Sequence, residues 1–301
     1  MENCDNEQKF DKYAFEMADV VEWNPWWGCK HVSAGCYHCI AYGLIRRNRK
    51  AFNEPLRKVK DANNKKLKDN ELDWQYKTGT VFRTCTLSDF FIDSADYIRK
   101  EVWQIIHERP ECLFVINTRR PERIMECLPY NWGEGWFNVL INAAVENEYT
   151  LHKRLPDLLN AKQYNLFHIG IALSPMIEEM DIRDYLKTGI IEHVELSGER
   201  YKGADGLARQ LRLSWVQDIG DQCEEYGVPF EFISTGTRPT TLNGMTLNVW
   251  NRDQEALADF YNYSRLIQDD LVFQWRINKE MLETIKMEKI AAQLRGIINN
   301  S

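Results

Sequence analysis

"FNVLINAAVENEYTLHKRLPDLLNA", residues 137–161, holds the reading on which the fold turns. It opens with a short apolar run rich in strand-forming residues, breaks at the polar pair Glu146 and Asn147, and continues as an amphipathic stretch. A short apolar run, a polar turn and a helical period in that order make one strand–helix unit of a parallel sheet.

The same order recurs along the chain. "VVEW" (20–23) leads into a cysteine-rich loop, and "TVFRTCTLSD" (80–89) precedes a helical stretch from Asp93 to Arg109. "CLFVINT" (112–118) precedes "RRPERIMECL", and "LFHIGIAL" (166–173) precedes "SPMIEEMDIRDYL". "IEHVELSG" (191–198) passes through a glycine-containing loop into "RLSWVQDIGDQCEEYG", and "VPFEFIST" (228–235) comes last. Seven runs alternating with helices of about 10 to 17 residues predict an α/β fold, a TIM-like parallel β/α barrel, complete or partial. A doubly wound open sheet is the alternative. The organisation expected is a polar tail over 1–17, a barrel over 18–240 with a basic insertion at about 46–78, and a helical extension over 241–301.

Composition narrows the class. The 301 residues are 44% hydrophobic and include ten Trp, enough for a substantial core. No apolar run approaches the roughly 18 residues of a membrane span, and the first residues are polar and acidic, so a cytoplasmic protein with no membrane partner is expected. A net charge of −7 argues against non-specific coating of nucleic acid. Between Arg46 and Lys68, however, ten Lys and Arg face only Glu54 and Asp61, a local balance of +8. That segment reads as a contact for a phosphate-bearing substrate or as a solvated insertion.

Eight cysteines are too few for a disulfide scaffold. Cys112 and Cys127 sit among apolar residues and are expected to be buried; Cys223 falls on a helix, and Cys4 in the polar tail. Cys29, Cys36 and Cys39 cluster in "NPWWGCKHVSAGCYHCIAYGL" (24–44), with spacing C-x6-C-x2-C. A closed zinc site wants four ligands, for which His31 or His38 would complete the set. A redox C-x-x-C would leave Cys29 unused. Three thiolates without a fourth suit a [4Fe–4S] cluster with one iron open to S-adenosylmethionine. Gly28 and Gly35 would let the loop wrap closely, and Trp23, Trp26, Trp27, Tyr37 and Tyr42 would exclude solvent or simply pack. The first gap is three residues longer than the C-x3-C-x2-C of radical-SAM loops.

In either architecture function gathers at the C-terminal ends of strands. Polar groups do gather there: Ser88 and Asp89; Asn117, Arg119 and Arg120; Glu146 and Asn147; Ser174; Ser197, Gly198, Glu199 and Arg200; Ser234 and Thr235. Each alone reads equally as a helix cap, Ser174-Pro175 above all. Tyr37 and Cys85 are weighed as hydrogen donors or as structural residues.

The cysteine loop, followed in order by "CTLSDFFIDSAD", "FVINTRRPERI", "INAAVENEYT", "ALSPMIEEMD", "ELSGER" and "GVPFEFISTG", resembles the phage Gp37/Gp68-like proteins (three-Cys-motif, DUF5131-type), a family of unknown function. The likeness covers roughly residues 21–236 and implies a divergent radical-SAM-like barrel of phage-related origin. It implies that Cys29, Cys36 and Cys39 hold the metal. It also implies that Ser88-Asp89, the run from Thr118 to Arg123, Val145-Glu146-Asn147 and Gly198-Glu199 line one site. Arg119 stands where the family has lysine, "LSGER" where it has a longer Gly-Gly-Glu-Ser stretch, and Ile40 where Tyr is common.

The expectation is therefore a radical-SAM enzyme. Ser88, Asp89, Asn117, Glu146, Asn147, Ser197, Gly198 and Glu199 would bind the cofactor, and Arg119, Arg120 and Arg200 a nucleotide or nucleic-acid substrate. A reductant such as a flavodoxin or ferredoxin, and a partner protein, go with that chemistry. Two other classes compete: a zinc-stapled binding module without catalysis, and a metal-dependent hydrolase using Asp89, Glu146 and Glu199.

Overall fold

Seven strands form one sheet: β1 (Val20–Trp23), β2 (Val81–Thr84), β3 (Leu113–Thr118), β4 (Val139–Val145), β5 (His168–Leu173), β6 (His193–Ser197) and β7 (Phe230–Ser234). Each of the seven runs expected from the sequence contains one of them. The computed structural model describes residues 20–42, 80–164, 168–200 and 208–238, with short strands at 15–17, 57–58, 240–242, 245–247 and 276–278.

Every strand lies beside its predecessor, and all six pairings are parallel. A doubly wound sheet reverses its strand order at a switch point. This one never does, so right-handed crossovers carry the helices to a single face. The sheet curls around the other face as a half-barrel. Among the described residues it does not close, and β1 and β7 are its two ends.

The curl can be read from one ion pair. Arg83 on β2 donates to both Glu195 oxygens on β6, at 2.8 and 2.7 Å. Those strands stand four spacings apart, about 19 Å in a flat sheet, which two side chains cannot bridge. Asn117 on β3 also donates to Glu195. The inward row thus holds charged and amide groups: Glu22, Arg83, Asn117, Asn142, Glu195 and Glu231. The outward residues, among them Phe82, Phe114, Ile116, Ile141, Ile171, Val194 and Phe230, build the apolar core against the helices.

Those helices are α1 (Asp96–His107), α2 (Ile124–Cys127), α3 (Glu148–Tyr164), α4 (Arg183–Leu186) and α5 (Leu213–Tyr226). On α3, Leu151, Leu155, Leu158 and Ala161 are buried, at the spacing that puts one helical face on the sheet. Cys112, Cys127 and Cys223 are buried as expected.

Two of the helices are single turns, shorter than the sequence pattern suggested. Pro129 forces Leu128 into extended backbone (ψ 146°) and ends α2. After β5, the Ser174–Pro175 bond is cis and no helix starts there, so Ser174 is not the cap it resembled. The chain instead runs as a loop whose N–H groups find distant acceptors: Met176 on the Ser197 carbonyl, Ile177 on the Glu146 carbonyl and Ile182 on Gln222 Oε1. Arg276–Asn278 pairs antiparallel with Phe15–Met17. The remainder of the expected C-terminal helices, most of the basic segment and Cys4 lie outside the described residues. No helix among the described residues is long and apolar enough to cross a membrane.

Candidate metal centre

The cysteine loop leaves the C-terminal end of β1 and lies over the mouth of the half-barrel. Before it, Trp26–Trp27 pairs antiparallel with Arg57–Lys58, which anchors part of the basic segment at the loop's edge. Gly28 turns the chain with φ 109°, a conformation glycine adopts without a Cβ penalty. A single 3₁₀ turn, Ala34–Cys36, ends on the second cysteine.

Three buried acids hold this loop, each through an arginine. Asp89, after β2, accepts from Thr118 Oγ1 (2.8 Å), Phe91 N (3.0 Å), Arg119 N (2.9 Å) and Arg120 Nη1 (2.9 Å). Arg120 in turn donates to the Lys30 carbonyl at 2.8 Å. Glu146, after β4, pairs with Arg154 at 2.7 Å and accepts from Gly35 N, while Arg154 reaches Ser33 Oγ at 2.9 Å. Glu199, after β6, is clamped by Arg209, which also donates to the Ala34 carbonyl at 2.9 Å. Ser88 accepts from Trp26 Nε1 and donates to the Gly28 carbonyl. Residues 28–35 are therefore fixed from the ends of β2, β3, β4 and β6. The approach at Gly35 is tight, since a Cβ there would sit 3.2 Å from Glu146 Cδ and 3.3 Å from Arg119 Nη2.

The three thiols are free and share one electrostatic neighbourhood. Burial pushes the Cys29 thiol up to about 12, with Asp89 adding, Arg120 opposing, and Cys39 and Cys36 adding further. Bound metal reverses that preference, because a coordinating thiol gives up its proton. Among the described residues, no three His, Cys, Asp or Glu side chains form a ready-made coordination group. Of the two histidines, His38 meets Glu199 through Nδ1 at 2.8 Å, and the His31 ring stands edge-on to Tyr42. Arg119, raised above its usual value, works against its own burial through Cys36 first, then Glu146, Cys39 and Asp89. Its Nη2 donates to the Ser174 carbonyl at 2.8 Å, and its buried Nε has no hydrogen-bond partner among the described residues.

The other expected site residues are placed as follows. Asn117 lies lower, in the inward row, bonded to Glu195 and to Asn142 Nδ2 at 3.0 Å. Ser197 meets Ser174 hydroxyl to hydroxyl at 2.7 Å. Gly198 permits β6 and β7 to converge, for its Cβ would lie 2.0 Å from the Thr235 carbonyl. Arg200 is lowered by burial and then by Arg83, so it belongs with the interior charges. Asn147 caps α3, its Oδ1 accepting from Thr150 N at 3.0 Å. Replacing Asn147 by alanine is expected to cost about 1 kcal/mol in urea unfolding, as caps generally do. Trp23 and Trp26 pack into the aromatic core on Phe114 and Phe90, whereas Tyr37 is exposed.

Arg83, Glu195, Asn142, Arg154 and Arg209 were not singled out from the sequence. For Arg83 and Glu195 a signal existed, a charge in the middle of a strand otherwise apolar on both sides. Arg154 and Arg209 carry no such mark, since each meets its acid across a turn.

No curated protein and no solved structure is significantly similar to the chain. The family described as "Protein of unknown function (DUF5131)" matches residues 14–291, nearly the whole chain, and the protein belongs to that family.

Proposed function

We propose that the protein is a radical-SAM-like iron–sulfur enzyme. The observation that carries the proposal is a three-thiol loop pinned at the mouth of a curled parallel half-barrel, with Arg119 and Arg120 beside the sulfurs. The donor set fits a cluster. Three soft thiols suit iron and sulfide, and the orphaned Arg119 Nε is a donor that a sulfur can satisfy. Asp89, Glu146 and Glu199 are each matched by an arginine, which favours thiols over carboxylates as the metal-binding groups.

Cys29, Cys36 and Cys39 would hold the cluster. When bound, such a cluster supplies one-electron reductive cleavage of S-adenosylmethionine and thereby hydrogen abstraction from a C–H bond. The chain's own contribution is positional. Arg120, Arg154 and Arg209 keep the loop in one conformation, which removes an ordering cost at binding. Arg119 and Arg120 offset the negative charge of the thiolates. Below the loop, the inward wall with Ser174, Ser197 and Asn117 offers polar contacts for the cofactor, and the half-barrel walls keep water from the reacting atoms. The basic segment anchored beside the loop and the exposed Tyr37 favour a nucleotide or nucleic-acid substrate, through phosphate contact and base stacking.

The test is anaerobic reconstitution with iron and sulfide. The expected product is brown, binds about four irons per chain, and releases 5′-deoxyadenosine from S-adenosylmethionine under a reductant. Alanine at Cys29, Cys36 or Cys39 removes both properties; alanine at Cys112 leaves them. Colourless protein holding one zinc per chain overturns the reading.

One observation favours that second outcome. His38 is held by the buried carboxylate of Glu199, the arrangement zinc-ligating histidines commonly have. In the zinc reading, His38 joins the three thiols and the domain is a binding module.

A further inference from the structure

We infer that Arg119 sets the reduction potential of the group held by the three cysteines, by presenting a fixed N–H and a positive charge to its sulfur. The inference rests on the iron–sulfur reading and adds a role for one side chain. Arg119 is a positioning and tuning residue here.

Three observations on geometry support it. Arg119 follows β3 directly, and its backbone N–H is tied to Asp89 at 2.9 Å, so its Cα cannot drift. Its Nη2 is tied to the Ser174 carbonyl at 2.8 Å, which fixes the far end of the guanidinium. Between those two anchors the Nε is buried and has no hydrogen-bond partner among the described residues. A buried donor without an acceptor is costly and uncommon in folded proteins. Nearby acceptors are already engaged elsewhere: Asp89 receives Arg120, and Glu146 receives Arg154. A Cβ on Gly35, the loop residue before Cys36, would lie 3.3 Å from Nη2, so the loop passes close to the guanidinium. Cys36 is also the strongest of the negative groups acting on Arg119, and Cys39 acts on it as well.

Neighbouring Arg120 does a different job. It turns to Asp89 and the Lys30 carbonyl on the Cys29 side, so the two successive arginines serve different sulfurs. Arg120 has its partners, whereas Arg119 has one N–H left over.

The consequence is electrostatic. Reduction adds one electron, supplied in a titration by dithionite, and makes the cluster one charge more negative. A fixed guanidinium and an N–H donor stabilise the reduced form more than the oxidised one. The potential is therefore higher with Arg119 than without it, since hydrogen bonds to sulfur and net charge are among its determinants.

The experiment is a potentiometric titration of the reconstituted full chain, followed by electron paramagnetic resonance, for the wild type, Arg119→Gln and Arg119→Lys. Arg119→Gln is expected to bind the same iron per chain and to lose about tenfold in the reduction equilibrium, a midpoint lower by about 59 mV. Arg119→Lys keeps the charge but loses the Nε donor, and its midpoint is expected between the two. Should Arg119→Gln fail to fold, the lysine variant is read alone, and a midpoint equal to wild type overturns the inference. Unchanged midpoints with full iron content in both variants likewise overturn it while leaving the cluster reading intact. A wild-type protein that takes up no iron overturns both.

Discussion

Glu195→Leu is expected to lower the unfolding free energy by about 3 kcal/mol, because it removes the carboxylate that takes two hydrogen bonds from Arg83 inside the half-barrel. Glu195 is almost fully buried and takes three hydrogen bonds, two from Arg83 and one from Asn117. Removing one member of such a pair costs more than the pair contributes, since the survivor has already been taken out of water. Arg83 retains some solvent access, which places the loss at the lower end of the usual range. The double variant Arg83→Met, Glu195→Leu should recover most of the loss, because two apolar side chains of similar size need no partner. Urea unfolding of the wild type, both single variants and the double variant closes the cycle. A single Glu195→Leu variant as stable as wild type would show that the cross-barrel pair does not hold the curl.

The same pair explains why strand positions were legible in the sequence and the site's wiring was not. β1 to β7 are short, apolar and bounded by polar turns, so each could be located from local pattern. Their outward residues pack on helices, and that requirement is written locally in every strand. What crosses the interior is different in kind. Arg83 and Glu195 lie 112 positions apart, and only the curl brings them together. The stretch before α4 departs from the expected helix for a related reason. Residues 176–182 satisfy their N–H groups on Ser197, Glu146 and Gln222, and partners so distant leave no mark on a local period.

The candidate site shows the same division. Clustering alone picked out Cys29, Cys36 and Cys39. The polar strand ends were also recognisable, but their division of labour was not. Asp89, Glu146 and Glu199 looked like groups awaiting a ligand, and the fold gives each an arginine that holds the loop. The long first gap, awkward as a spacing, acquires a physical account. Lys30, Ser33, Ala34 and Gly35 fall within it, and each receives or donates one of the fixing hydrogen bonds.

Of those fixings, the Glu146–Arg154 pair is the most deeply buried, and Arg154→Met is expected to cost about 4 kcal/mol at neutral pH. The loss has two sources. Glu146 would keep its charge with its nearest counter-ion gone, and Ser33 would lose the donor that holds the loop. The pH dependence separates this from a simple packing defect. Burial works against the Glu146 carboxylate, yet Arg154 and then Arg119, helped by a hydrogen bond from Ser33, hold it below the usual carboxylate range. A group depressed in the folded state stabilises the fold above its unfolded pKa, about 4.3 for Glu. That contribution is lost as the pH falls through the lower folded value. Without Arg154 the balance tips toward burial, the neutral acid is favoured in the fold, and stability declines as the pH rises past the unfolded pKa. Arg154→Met should therefore be less destabilising at pH 4 than at pH 7 in urea titrations. Adding Glu146→Gln to it should restore stability at pH 7 and abolish the difference between the two pH values. A deficit identical at both pH values would mean that the arginine acts by packing alone and that the charge pair beneath the cysteine loop is incidental.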